Sequence, residues 1–188
     1  MASSVFNFCY AILKKPRSYT TNMKMFCVLL FFTLLATAGQ AQAINTGNLS
    51  SGATLNKALI LQLVNSVRKK GCQCGGEWYG PAPALTWNNR LETAALAHSR
   101  DMFQNHYFSH TAPDGSSAGQ RIQDAGYEWR TYGENIAAGY TSEQETVQGW
   151  LQSPGHCKNI MNKDFREMGV GRAGNYWTQS FATPLKSE

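Results

Sequence analysis

The stretch YGENIAAGYTSEQETVQGWLQSPGHC, residues 132–157, decides the fold. Its first part, GENIAAG, is a run of small and apolar residues typical of a strand, and it carries Glu134. Its middle has the spacing of an amphipathic helix, with Glu145 near the start. It ends in SPGH, where a Pro-Gly pair indicates a turn directly before His156. Three successive elements therefore each supply a polar group that could face one cleft.

A fourth polar group lies upstream, in the sequence YFSHTAPDG at residues 107–115. His110 follows an aromatic pair and precedes a Pro-Asp-Gly sequence, which is typical of a turn. Two imidazoles and two carboxylates, from His110, Glu134, Glu145 and His156, supply only N and O donors. Such a set suits acid-base chemistry or the binding of zinc or another divalent cation.

Four ordered motifs resemble those of the CAP family, also called the SCP domain, which includes cysteine-rich secretory proteins, insect venom antigens and plant pathogenesis-related proteins. The motifs are FSHT with its DG turn, GENIA, ETVQGWLQSPGHCKNIM, and MGVG followed by YWTQSFA. The resemblance extends over about residues 55–184, and the chain is most similar to the short bacterial branch. The resemblance implies an α+β fold, a three-layer α/β/α sandwich with a small antiparallel sheet flanked by helices.

The resemblance also implies a central cleft, occupied by a metal in some members, whose activities differ widely. Two His and two Glu line that cleft in the family. Motif by motif, they fall on His110, Glu134, Glu145 and His156.

Each of these side chains also has a simpler interpretation. His110 could be an exposed loop histidine, and Glu134 could be a structural acceptor for backbone N–H groups. Glu145 could belong to a solvated helix face. However, Gly149 removes bulk one turn later, as the floor of a cleft would require.

Two neighbouring polar residues are interpreted differently. His98 shares the apolar stripe of a helix, so we expect a core histidine with a satisfied ring nitrogen rather than a ligand. Asn135, beside Glu134, is a candidate residue for orienting the cleft.

Hydrophobic periodicity predicts the remaining elements. A helix with a wide apolar face is capped by Thr54 and ends at Gly71, after the sequence RKK, whose charges oppose the helix dipole. After a Gly/Pro-rich link, a second helix extends from a cap at Asn88 to about Asn105. A short helix capped by Ser116 or Ser117, a helix capped by Thr141 or Ser142, and a helical turn starting at Pro154 follow. Strands are predicted at residues 127–137, 168–171 and 176–181, the last two as a hairpin.

The first 43 residues are interpreted as an N-terminal leader. Residues 23–43 read MKMFCVLLFFTLLATAGQAQA, which has the lysine, apolar run and small-residue cleavage site of a secretory signal peptide. The apolar run is shorter than the ~20 residues of a spanning helix, so we expect cleavage after Ala43 and no membrane span thereafter. Translation is expected to begin at Met23, with a long basic leader as the alternative.

The exported part has two predicted segments. Residues 44–53 are polar and rich in Gly and Ser, typical of a flexible lead-in. Residues 54–188 form one domain, which we expect to be a monomer located outside the cell or in the periplasm.

Charge argues against a nucleic-acid partner. The formal net charge is +5, from 17 basic and 12 acidic side chains. Residues 1–43 contain four of the basic side chains and no acidic one, which leaves a net charge of +1 on the exported part. Its basic residues are scattered rather than clustered, so the sequence predicts no nucleic-acid binding.

Cysteine usage agrees with export. Of five cysteines, two belong to the leader, and Cys72, Cys74 and Cys157 remain. That count predicts one disulfide and one spare thiol, while a CxC metal half-site lacks a nearby second half. The family resemblance implies that Cys74 pairs with Cys157, and Cys72 departs from the family pattern.

Three classes of function remain. The first is a secreted module that binds a divalent metal, a small ligand, a lipid or a cell-envelope component. The second is an extracellular hydrolase with Glu134 or Glu145 as general base, although no HExxH helix is present and Ser109 beside His110 is no triad. The third is a structural or adhesive domain in which the four side chains form a buried polar network.

Overall fold

Five helices and six strands make up the structure, a computed structural model in which residues 54–185 are described. The predicted leader and lead-in therefore lie outside the described residues. In chain order the elements are α1 (Lys57–Lys70), β1 (Cys72–Cys74), β2 (Glu77–Tyr79), β3 (Thr86–Trp87), α2 (Asn89–Gln104), α3 (Ala118–Asp124), β4 (Trp129–Ala138), α4 (Glu143–Gln152), α5 (Pro154–Met161), β5 (Glu167–Ala173) and β6 (Tyr176–Pro184).

Side-chain caps set most of the helix starts. Asn88 caps α2 as predicted, with its Oδ1 accepting from the N–H groups of Arg90 and Leu91. Ser117 caps α3 and Ser142 caps α4, in each case one of the two predicted positions. The predicted cap of α1 is wrong by two residues. Asn56, not Thr54, accepts from a backbone N–H of the first turn, because its amide oxygen fits the same role.

The main sheet has the strand order β3-β5-β6-β4. β6 pairs antiparallel with both β4 and β5, which confirms the small antiparallel sheet. β3 adds a short parallel edge strand beside β5, where the sequence indicated only a link. A separate hairpin of β1 and β2 lies in that same link. Its two three-residue strands are too short to produce a recognisable alternation.

The two faces of the sheet carry different cores. Trp177 and Phe181 of β6 belong to one cluster, together with apolar residues of α1, α4 and α5. Ala182, which points to the opposite face, belongs to a second cluster with Leu91 of α2 and Ile122 of α3. Helices therefore cover both faces, and the predicted α/β/α sandwich is confirmed.

Two glycines allow α2 to lie directly on β5. A Cβ atom at Gly169 would overlap the backbone of Glu92, and one at Gly171 would overlap the backbone of Leu96. No side chain larger than hydrogen fits at either position without moving the helix away from the sheet. This close approach explains the MGVG motif.

A disulfide joins the β1–β2 hairpin to α5. Cys74 and Cys157 are bonded, with 5.4 Å between their Cα atoms. Cys157 directly follows His156, so the bridge fixes the backbone beside that histidine. Cys72 is buried and is also disulfide-bonded, so the expectation of a spare thiol there is wrong.

Arg68 has a larger role than the predicted helix-end cation. Its side chain is fully buried. The guanidinium donates to the carbonyl of Pro83 (2.7 Å) and to those of Ile160 (2.7 Å) and Asn162 (2.8 Å). Burial, with a smaller effect of nearby Arg166, lowers the pKa of Arg68 to about 10. Arg68 thus fixes the end of α1 to the segment around Pro83 and to the end of α5.

Over residues 54–185 the structure has no helix long and apolar enough to cross a membrane.

Candidate functional site

Glu134 is the buried centre of the site. It lies on β4, and its side chain is only 4% exposed. Oε1 accepts from Nδ1 of His110 at 2.8 Å, and Oε2 accepts from Nη2 of Arg121 at 2.8 Å. Both carboxylate oxygens are therefore engaged, as a charge buried in an apolar strand requires.

The loop that carries His110 is held from two sides. Arg121 of α3 donates to the carbonyls of Ser116 (2.8 Å) and His110 (2.9 Å), in addition to Glu134. From α2, Nε2 of His98 lies 2.9 Å from the carbonyl of Ser109. His98 is 1% exposed, and burial lowers its pKa, which confirms the interpretation as a core histidine with a satisfied nitrogen.

The contact with Glu134 fixes the proton position on the His110 ring. An ionised carboxylate can only accept, so Nδ1 of His110 must carry the hydrogen in this bond. The lone pair of the neutral ring is then on Nε2. The His110 side chain is 54% exposed, so that nitrogen is available for a ligand or a proton.

His156 brings a second imidazole to the same region. It lies in the first turn of α5 and is partly buried. Burial lowers its pKa below the ordinary value, and the nearby His110 lowers it further. Within residues 54–185 no hydrogen bond engages its ring nitrogens. Near neutral pH His156 therefore presents an uncharged ring with a free lone pair.

Glu145 has a local partner instead of a site partner. It is exposed at the start of α4, and its Oε2 accepts from the backbone N–H (3.1 Å) and the hydroxyl (3.0 Å) of Thr141. These bonds lower the pKa of the carboxyl group. The position beside Gly149, predicted as an open cleft floor, is occupied by the ring of Tyr140, which a Cβ atom at Gly149 would overlap.

Buried amide side chains form hydrogen bonds with the backbone that carries Glu134 and His156. Nδ2 of Asn135 donates to the carbonyl of His156 (3.2 Å) and to Gln179 (3.1 Å). Nδ2 of Asn159 donates to Asn135 (2.9 Å) and to the carbonyl of Glu134 (3.1 Å). Asn135 thus links β4 to α5 and orients the backbone of His156 rather than its ring.

Sequence reasoning missed Arg121, Asn159 and Gln179. An arginine on a short helix and two amides in apolar segments carry no pattern of their own. Their roles depend on which elements become neighbours, and that information is absent from local periodicity.

The donor set fits a metal only in part. Among residues 54–185, no group of three or more His, Cys, Asp and Glu is arranged to hold a metal ion. Glu134 is already bound on both oxygens, and Glu145 is bonded to Thr141. The remaining donors are two imidazoles, His110 being oriented by a carboxylate as metal-binding histidines usually are. They suit an open two-histidine site and not a closed structural one.

Comparisons with known proteins agree with this architecture. The CAP family model, described as the cysteine-rich secretory protein family, matches residues 61–183. The Bacillus subtilis membrane protein YlbC is 36% identical over 128 residues, which are 68% of this chain and 34% of YlbC. YkwD of the same organism is 34% identical over 138 residues, 72% of this chain and 50% of YkwD.

The chain is also similar to a solved structure. An extracellular protein containing an SCP domain from Bacillus anthracis is 35% identical, with a TM-score of 0.59, over 66% of this chain and 39% of that protein. The chain therefore spans between a third and a half of the length of these three relatives.

Proposed function

This chain belongs to the cysteine-rich secretory protein family, and on that premise we propose that it is an exported binding domain whose ligand meets His110 and His156. The observation that carries the proposal is the 2.8 Å contact between Nδ1 of His110 and Glu134, with Arg121 on the other carboxylate oxygen. It leaves the lone pair on Nε2 of an exposed ring, where it can bind a cation.

We propose a divalent cation of the zinc class as the bound group. His110 and His156 would hold it, and Glu134 would orient His110 without binding the ion. Two protein donors leave coordination positions open, so a small ligand from outside the protein could complete the set. When bound, such an ion would supply Lewis-acid character to that ligand.

The hydrolase alternative has less support. Glu134 has both oxygens engaged and Glu145 is bonded to Thr141, so neither is a free general base. The structural alternative is supported by the satisfied amide network around Asn135. A binding role and a structural role can coexist, because the network leaves the exposed face of His110 uncovered.

Zinc binding can be tested by thermal unfolding of the purified protein with increasing zinc chloride. An ion that binds only the native state raises the melting temperature. We expect such a rise in the wild type and its loss in His110→Ala and in His156→Ala. His106→Asn is the matched control, since it removes an exposed histidine at the end of α2 and should retain the rise.

The outcomes separate the three classes. A rise that persists in both histidine variants would contradict the proposed site. If zinc has no effect and all four substitutions at His110, Glu134, Glu145 and His156 only lower stability, the side chains form a structural network. A turnover lost in Glu134→Gln or Glu145→Gln at unchanged stability would instead support the hydrolase.

Export is a separate part of the proposal. The signal-peptide pattern of residues 23–43 supports it, as does the similarity to an extracellular Bacillus anthracis protein. N-terminal sequencing of the protein recovered from the medium or periplasm should begin at Ile44. A sequence beginning near Ala2 would contradict both the cleavage and the location.

A further inference from the structure

Strand β4 lies at one edge of the main sheet. The strand order is β3-β5-β6-β4, so among the described residues β4 pairs only with β6. Gly139, directly after β4, donates its N–H to the carbonyl of Asn175 at 3.0 Å. Backbone groups of an antiparallel strand alternate in direction. The N–H and C=O groups of odd-numbered residues from 133 to 139 therefore face β6, and those of even-numbered residues point away from the sheet.

Two residues of this outer edge have backbone groups without a partner. The carbonyl of Glu134 accepts from Nδ2 of Asn159 at 3.1 Å, which agrees with the outward direction of the even-numbered residues. Within residues 54–185, no hydrogen bond reaches the N–H or the C=O of Ile136 or of Ala138. Ile136 is only 5% exposed, and backbone groups as buried as these are normally paired.

This part of the edge also lacks the features that usually protect an edge strand. Such strands are commonly short, or carry lysine, proline or a bulge that prevents pairing with another chain. β4 has ten residues, and its register shift lies at its beginning, in residues 129–131. The sequence GENIAA at residues 133–138 contains no lysine or proline, and its one charged side chain, Glu134, is already paired inside the site.

The edge lies between the two histidines of the site. On one face of β4, the side chain of Glu134 contacts His110. On the opposite face, Asn135 donates to the carbonyl of His156. The unpartnered groups of Ile136 follow directly, so they belong to the same cleft.

An exposed aromatic ring lies at the far end of this edge. Ala138 pairs with Tyr176, and cross-strand partners project from the same face of a sheet. The ring of Phe108 lies 6.4 Å from that of Tyr176, between centroids, and Phe108 is 53% exposed. Apolar surface is therefore available beside the backbone groups of Ala138.

We propose that the ligand of this cleft is an extended peptide that adds to β4 as a fifth strand of the main sheet. Its main chain would pair with Ile136 and Ala138, and an apolar side chain would lie against Phe108. Donors and acceptors that repeat every second residue match an extended main chain, whereas a compact molecule could meet only one of the two pairs. The inference rests on the proposed function only in placing the ligand between His110 and His156.

Calorimetric titration with two matched peptides tests the proposal. The first is acetyl-Val-Thr-Phe-Thr-Val-amide, and the second has the same side chains with every residue N-methylated. We expect the first peptide to bind and the second to bind at least tenfold more weakly, because it cannot donate main-chain hydrogen bonds. Equal binding of the two peptides, or no binding of the first, would overturn the proposal.

A substitution at Ala138 locates the peptide. Ala138→Pro removes an outward N–H without breaking a bond to β6, and proline is tolerated at such edge positions. It should weaken binding of the first peptide about fivefold, as expected for one lost hydrogen bond. Ala138→Ser retains the N–H and is the matched control, which should bind normally. Circular dichroism would show that both variants are folded, and unchanged affinity in Ala138→Pro would overturn the assignment.

Amide hydrogen exchange locates the peptide without any substitution. Saturating peptide should slow exchange at Ile136 and Ala138. The N–H of Ala137, which already faces β6, should be unaffected. Unchanged exchange at both edge residues would overturn the assignment.

The cation and the peptide can be tested separately. The first peptide should still bind in the presence of EDTA, because its main-chain bonds need no metal ion. Peptide binding without any effect of zinc would contradict the proposed cation and support this inference. A zinc-dependent rise in melting temperature without peptide binding would overturn this inference alone.

Discussion

The carboxylate of Glu134 lies between the exposed His110 and the almost buried Arg121, so its negative charge stabilises the position of both side chains. Removing one partner of a buried ion pair leaves the other without compensation, at a cost of several kcal/mol. Glu134→Gln removes the carboxylate charge that faces the Arg121 guanidinium, and the Arg121 side chain is only 10% exposed. We expect the free energy of unfolding to fall by about 3 kcal/mol, measured by urea denaturation.

Glu145→Gln is the matched control for that variant. Glu145 is exposed and its carboxylate bonds to the neighbouring Thr141, so its replacement should lower the free energy of unfolding by less than about 1 kcal/mol. Equal losses in the two variants would contradict the assignment of Glu134 as the buried centre.

The histidine at position 156 makes stability depend on pH. Folding lowers its pKa, so below about pH 6.5 the unfolded chain takes up a proton more readily than the native state does. The His156 contribution is fully present above that pH and is lost as the pH falls. We expect the wild type to lose more unfolding free energy than His156→Gln between pH 7.5 and pH 5.

His98 also has a lowered pKa, but it is present in both proteins, so the difference between them isolates His156. Parallel pH curves for the two proteins would show that His156 titrates normally in the folded state.

At the scale of elements, the contact between α2 and β5 depends on two glycines of β5, which have no side chain. Gly169→Ala or Gly171→Ala would force a methyl group into the backbone of α2, which cannot retreat without opening the second core. We expect a loss of about 3 kcal/mol or failure to fold, because overpacking at rigid backbone exceeds the usual cost. Denaturant midpoints would measure it.

Gly76→Ala provides the comparison, since no atom lies within 4 Å of the added methyl group. Its unfolding free energy should change by less than about 0.5 kcal/mol. A similar small change at Gly169 would mean that the helix and strand can move apart freely.

The sequence predicted those elements whose signals are local. Asn88 is followed by sixteen helical residues with an apolar stripe, and the hairpin of β5 and β6 has its turn at Gly174. β3 was missed because two residues that pair in parallel with a strand 81 positions later have no periodicity of their own. The link between α1 and α2 therefore has more structure than its Gly/Pro content indicates.

The site was predictable only through its motifs. The family resemblance implied that His110 and Glu134 line one cleft, and the structure places these two side chains in contact. Nothing local indicated that Arg121 would bind the same carboxylate, because that requires α3 to lie against β4. Glu145 is the opposite case. An acidic residue in the first turn of a helix is already explained by its favourable interaction with the helix dipole, without any role in the site.

At the scale of the whole molecule, the disulfide closes most of the domain. Cys74 and Cys157 are 83 positions apart. In the chain-entropy model, a link of that length stabilises by at most about 4 to 5 kcal/mol. The double variant with Cys74→Ser and Cys157→Ser should lose a large part of that free energy in urea denaturation. A loss below about 1 kcal/mol would mean that the packing of α5 alone holds this region.

The same bridge determines what a protease could do to the domain. His110, Glu134, Glu145 and His156 all lie within the covalent ring that Cys74 and Cys157 close. One cut in an exposed turn of that ring, such as residues 113–115, leaves the two pieces as a single molecule. A nicked protein would migrate as one band until a reductant separates the fragments, and damage of this kind would open the ring without releasing any part of the site.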